Sequence, residues 1–317
     1  MKKLVILILL VILSIIAGIC LGSEFLSPLK IFKIKYLEDF ERKIIFDLRL
    51  PRVMAGFFTG GGLAITGAVL QGLLKNPLAE SYTLGISGGA SLGICIGVII
   101  GKYLCIPLFG FIGGIISTLI IVIAGSKKNL SNPSLILLGV ILNFIFSSFV
   151  LFILAISERE RFQQSFFWLI GDLSYFPYFL FKPAILIILF FSIFILTFSR
   201  QLDIISIGEE KAKTLGVESE KVKKILFIFS SIITGSCVSL GGMIGFVGLI
   251  VPHISRIFFG SAHLKILPVS FILGGCLLTL ADTIARTVIS PIEIPVGVIT
   301  SLFGGLFFLF LLLRKKT

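Results

Sequence analysis

Ten near-continuous apolar runs punctuate the chain, at residues 4–22, 51–70, 84–101, 104–125, 134–156, 183–199, 225–241, 243–259, 266–289 and 296–313. Polar and charged residues fall mainly between them. A run of about 20 apolar residues is the length that crosses a bilayer as a helix. Backbone groups in hydrocarbon must find partners within their own segment, so each run is predicted to be an α-helix. The expected fold is an all-α integral membrane protein of about ten transmembrane helices, forming one domain over residues 1–317. The second run is interrupted by Gly60-Gly61-Gly62, and the eighth barely reaches span length. The opening run, after Lys2-Lys3, has the layout of a signal peptide, and Ala17-Gly18-Ile19-Cys20 imitates a cleavage region. Its apolar stretch of about 18 residues exceeds the usual 7–15 of a secretory core, so it is expected to stay as the first span.

Composition agrees with the pattern. Apolar residues make up 56% of the 317 and charged residues 14%, against about 25% charged in soluble domains. That excludes a pair of soluble domains. An even number of spans puts both termini on one side, and Lys2, Lys3, Arg314, Lys315 and Lys316 mark it as cytoplasmic. On this assignment 16 of the 28 Lys and Arg residues lie inside, and seven of the others belong to residues 23–52. That outer segment also carries Glu24, Glu38, Asp39, Glu41 and Asp47, and reads as a mixed-charge surface loop. The net charge of +12 is therefore topology, not a nucleic-acid surface. Cys20, Cys95, Cys105, Cys237 and Cys276 include no CxxC pair, and His253 and His263 provide no zinc-ligand spacing.

Small and polar interruptions carry the rest. Gly85, Gly89, Gly93, Gly97 and Gly101 recur every four residues, and Gly56/Gly60 and Gly241/Gly245 repeat the spacing. Such stripes let helix backbones approach closely in lipid. The polar segment from Arg200 to Lys224 contains Ser206 and Glu209, spaced as a capping box for a short helix starting near Ile207, with Gly216 as its stop. Ile207, Ala212 and Leu215 would form an apolar patch on the cytoplasmic side, suited to docking a soluble partner or to lying on the membrane. Asn76-Pro77 breaks the helix within the stretch Gln71 to Ser91, as an ordinary turn or beside a pathway. His253 reads as a helix-end histidine on the cytoplasmic side, and Asp282 and Arg286 share a helical face. The only Gly-Lys pair, Gly101-Lys102, is followed by Tyr103, so there is no P-loop, and HExxH does not occur. No enzyme activity is expected.

Several longer motifs then align in order: RLPRVMAG at 49–56, GAVLQGLLKNPLAESYTLGISGGASLG at 67–93 and WLIGDL at 168–173. IGEEKAKTLGV at 207–217, IGFVGLIVPHISRIFFG at 244–260 and LADTIARTVISPIEIPVGVITSLFGG at 280–305 follow. From about residue 45 onward the chain resembles the permease subunits of ABC importers for iron–siderophore complexes, haem and cobalamin. The resemblance implies a ten-helix permease of the prokaryotic cytoplasmic membrane. It implies a second permease copy, identical or a close paralogue, with the path between them. Two cytoplasmic ATPase subunits would hold ATP and magnesium, with no cofactor in this chain. An extracytoplasmic substrate-binding protein would deliver the cargo.

On the same likeness, Gly208, Ala212, Leu215 and Gly216 belong to the ATPase-coupling helix of a cytoplasmic segment at about 200–222. Arg49, Arg52 and Arg286 match arginines that meet carboxylates of the binding protein, steering docking more than adding affinity. Asn76, Pro77 and Leu78 match an inner gate loop, and Ser131, Asn132 and Pro133 align with a second whose residues here are its own. Glu80-Ser81 and Gly305-Leu306 also depart from the family pattern. The expected activity is import by alternating access, of ferric siderophore first, with haem or cobalamin as alternatives. A stand-alone secondary transporter would need intramembrane carboxylates, and Asp282, beside Arg286, is the one candidate.

Overall fold

A computed structural model describes the chain except for residues 1, 23, 25, 29–38, 102–105, 129, 175–177 and 315–317. Cys105, Lys102, Tyr103, Lys315 and Lys316 lie outside the described residues. In chain order the helices are α1 (Lys2–Cys20), α2 (Asp39–Leu74), α3 (Ile86–Ile100), α4 (Ile106–Lys128) and α5 (Asn132–Ile156). They continue with α6 (Arg159–Ile170), α7 (Tyr178–Thr197), α8 (Ser199–Ile207), α9 (Glu209–Thr214) and α10 (Ser219–Gly241). The last three are α11 (Val247–Phe259), α12 (His263–Thr287) and α13 (Val296–Arg314). Seven are long and apolar enough to cross a membrane, and α3, α11 and α13 are shorter apolar helices. Those ten coincide with the ten predicted runs.

Helix α2 is the axis of the bundle, packing on α12, α10, α11, α7 and α1. Most of its apolar stretch is buried, whereas most of α5 is not. Glycine sets the contact distances. A Cβ on Gly60 would lie 2.2 Å from the Gly274 carbonyl oxygen, so the α2 and α12 backbones touch there. A Cβ on Gly93 would lie 2.1 Å from the Phe109 carbonyl oxygen of α4. Gly89 and Gly97 extend that seam, as the four-residue stripe predicts, but its two ends do something else. Gly85 and Gly101 adopt left-handed φ values of 72° and 73° and cap α3 at its two ends. Gly56 and Gly245 make only ordinary contacts.

Several described helix ends fall at two poles. Lys3 Nζ donates to the Phe258 carbonyl at 2.6 Å and sits over the Phe259 ring, bringing the start of α1 to the end of α11. The opposite pole gathers the end of α1, residues 49–52 of α2 and the end of α12.

Three expectations are corrected. The outer segment 23–52 is not a loop throughout, because helix α2 already begins at Asp39 and includes a π-helical turn at Ile44–Arg49. Its charges hid it, but Ile45 points inward, and the buried Arg49 guanidinium is satisfied by carbonyls of the α1 end. Secondly, α11 starts at Val247, after a left-handed Phe246, and is therefore only 13 residues long. Thirdly, His253 lies mid-way along α11 with its ring edge-on to Phe307 of α13, so it is not a helix-end residue.

Candidate functional site

At the pole that holds Lys3, α8 and α9 form a short angled pair. The Ser206/Glu209 capping box does not form. Helix α8 runs on through Ser206, whose hydroxyl donates to the Asp203 carbonyl, and Gly208 takes the N-cap position of α9 without a side-chain bond. The Glu209 carboxylate is drawn instead to Lys223. The stop is as expected. Gly216 is left-handed, and the Val217 N–H returns to the Ala212 carbonyl in a Schellman-type closure. Leu215 and Ile207 are each 64% exposed, and Gly208 and Gly216 have open space around them. Ala212 is fully buried against the permease body, so the exposed apolar patch is Ile207 with Leu215 and does not include Ala212.

The two predicted gate loops meet at the same pole. Lys75 ends α2 in the left-handed region, and the Asn76 side chain accepts from the Leu78 N–H at 2.9 Å. Because α2 stops there, the Leu73 carbonyl is among the last four of the helix and has no helical donor. The Asn132 amide occupies that vacancy, donating to Leu73 at 3.4 Å. Ser131 caps α5 through the Ser134 N–H, with Pro133 in the first turn. Pro77 and Leu78 are exposed. Beyond them the chain turns inward, where Glu80 is 7% exposed and accepts from the Phe246 N–H at the start of α11.

The three arginines cluster at the opposite pole, but not as free surface charges. Arg49 is buried and donates to the carbonyls of Ile19 and Cys20 at 2.7 and 3.1 Å, and also to that of Glu24. Arg286 is buried too, bonding the Gly18 carbonyl and pairing with Asp282 at 3.1 Å. Arg52 bridges Asp282 at 2.9 Å and Glu293 at 2.6 Å, with its side chain 11% exposed. Ser174 also donates to Glu293, at 3.2 Å. Partial burial pushes the Glu293 carboxyl up, but the hydrogen bond and charge of Arg52 outweigh that and hold it below the ordinary carboxylate value. The expected Asp282–Arg286 neutralisation is therefore present, with Arg52 as a further partner.

Several polar contacts of the inner pole were not singled out as a group from sequence. Lys223 is 6% exposed, and its Nζ lies 2.6 Å from Glu209 Oε1 and 3.5 Å from Asn132 Oδ1. Its phase was visible, since Lys223 shares the buried face of α10 with Leu226, Phe227 and Ser230. His263 Nδ1 meets Asp203 Oδ1 at 2.6 Å, and Arg256 reaches the Gln71 carboxamide. These pairs are remote in sequence and share no motif. Among the described residues no group of His, Cys, Asp or Glu could hold a metal ion.

Among the described residues, ten apolar helices with charged clusters at two poles define a multi-span membrane protein. The model of the FecCD transport family matches residues 7–314, and the chain belongs to that family. It is a permease subunit of an ABC importer. It is 38% identical to the hemin transport system permease HmuU of Yersinia pestis, over 86% of this chain and 84% of that one. It is 36% identical to the vitamin B12 import permease BtuC of Vibrio vulnificus, over 98% and 93% of the two chains. A solved inward-facing structure described as a metal-chelate type ABC transporter superposes with a TM-score of 0.90 at 30% identity, covering 99% of both chains.

Proposed function

We propose that this chain is one half of a permease dimer that moves a ferric siderophore across the cytoplasmic membrane by alternating access. Two ATPase subunits, which hold ATP and magnesium, drive it from the inside, and an extracytoplasmic binding protein loads it from the outside. The observation that carries this is the α8–α9 corner. A short helix presents Leu215 and Ile207 to the cytoplasmic side between two unencumbered glycines, which suits insertion into a cleft of a soluble partner. Ala212 supports it from behind. Arg52 is the outer arginine that a carboxylate of the binding protein reaches first, in exchange with Glu293, while Arg49 and Arg286 hold the helix ends that present it. Haem or cobalamin is the second reading of the cargo, favoured by the names of the two relatives above.

The test is co-purification and uptake. Leu215→Asp places a charge in the docked patch and is expected to abolish ATPase association while the chain remains membrane-inserted. A variant that still holds its ATPase and imports normally would sink the proposal. Equilibrium binding of ferric hydroxamate, haemin and cobalamin to the partner binding protein decides the cargo.

A further inference from the structure

Lys223 joins the ATPase-facing helix directly to the 131–133 loop and, through Asn132, to the end of α2 that leads into 76–78. Its ammonium is nearly buried, and such a charge needs acceptors for its donors. It finds them on separate elements: Glu209 Oε1 of α9 at 2.6 Å, Asn132 Oδ1 of α5 at 3.5 Å and, within α10, Glu220 at 3.7 Å. Asn132 is itself committed at its other end, because its amide serves the Leu73 carbonyl, one of those left without a donor at the end of α2. A continuous polar path therefore runs from the first residue of α9, through the second turn of α10, to the start of α5 and the end of α2.

We infer that Lys223 is a positioning residue which makes the inner gate loops, 76–78 and 131–133, follow the movement of α9. This rests on the importer reading of α9. If α9 shifts when an ATPase closes beneath it, Glu209 shifts with it. Lys223 then either follows or loses its shortest contact, left nearly buried with only the longer ones to Asn132 and Glu220, which is unfavourable. The carboxylate makes the link directional in charge, and the end of α2 at Lys75 makes it selective in place. The Leu73 carbonyl is open to Asn132 because α2 ends at the left-handed Lys75 and its last carbonyls have no helical donor.

The test uses the assembled transporter carrying Leu78→Cys, an exposed gate-loop position, and follows maleimide modification with and without a non-hydrolysable ATP analogue. In this parent, nucleotide is expected to change the rate by about fivefold or more, the scale of an ordinary coupling between sites. Adding Lys223→Met is expected to leave the ATPase bound while the nucleotide effect collapses to less than about twofold. Glu209→Gln, which keeps the ammonium and its Asn132 contact, reads the same link should the first variant not assemble. A full nucleotide response in Lys223→Met or in Glu209→Gln overturns the inference. Should the parent itself show no bound ATPase or no nucleotide response, the importer reading fails first and takes this inference with it.

Discussion

Asp282 carries more electrostatic responsibility than any other side chain at the outer pole. It is 2% exposed and pairs with both Arg286 and Arg52, so its removal strands positive charge in a region without water to compensate. Asp282→Asn is expected to destabilise the folded chain by about 3–5 kcal/mol, the usual cost of breaking a buried pair, read as equilibrium unfolding in graded denaturing detergent. Glu293 is the contrasting case, since its side chain is 42% exposed and its pair with Arg52 is partly screened; the contribution is at most about 1 kcal/mol. Because its carboxyl is held below the ordinary value in the folded state, that contribution is complete above the ordinary carboxylate pKa. It is lost as pH falls through the lower, folded value. The stability difference between wild type and Glu293→Gln should therefore be constant near neutrality and vanish only in acid. Asp282 and Arg286 were legible as a pair because they stand four residues apart on one helix. Arg52 and Lys223 find their partners across the fold, and no local spacing announces such contacts.

Helices here are held together by absent side chains as much as by present ones. The α3–α4 seam depends on Gly93, where any Cβ would meet the Phe109 carbonyl at 2.1 Å. Gly93→Val should cost about 1–3 kcal/mol or more through overpacking. Gly305→Ala, with nothing within 4 Å of the added carbon, should change the isolated chain by less than about 0.5 kcal/mol. Thermal unfolding of the two in the same detergent checks the contrast. Four-residue spacing revealed the seam, but could not show that Gly85 and Gly101 are caps, since a cap and a packing position look alike in a periodic pattern. The capping box at Ser206/Glu209 misled for a similar reason. Its signature assumes that the preceding chain is not helical, and α8 is.

At the scale of the molecule, hydropathy alone located all ten apolar helices, because in lipid each must satisfy its own backbone. The two-pole arrangement followed from counting lysines and arginines. What the counting missed was length. Helix α2 runs 36 residues from Asp39, well past the apolar run that betrayed it, and α11 stops at 13. A helix of that second length covers about 20 Å of a hydrocarbon layer some 30 Å thick. Its first turn therefore opens inside the bilayer, where Glu80 and the Gly67–Gly248 contact receive it. Biogenesis must respect this. During synthesis α11 cannot leave the translocon for lipid as an independent segment, because its amino end would carry unpaired amides into hydrocarbon. It has to wait beside α2 and the 80–84 segment, so insertion of this permease is partly a tertiary folding reaction and not ten separate partitioning events.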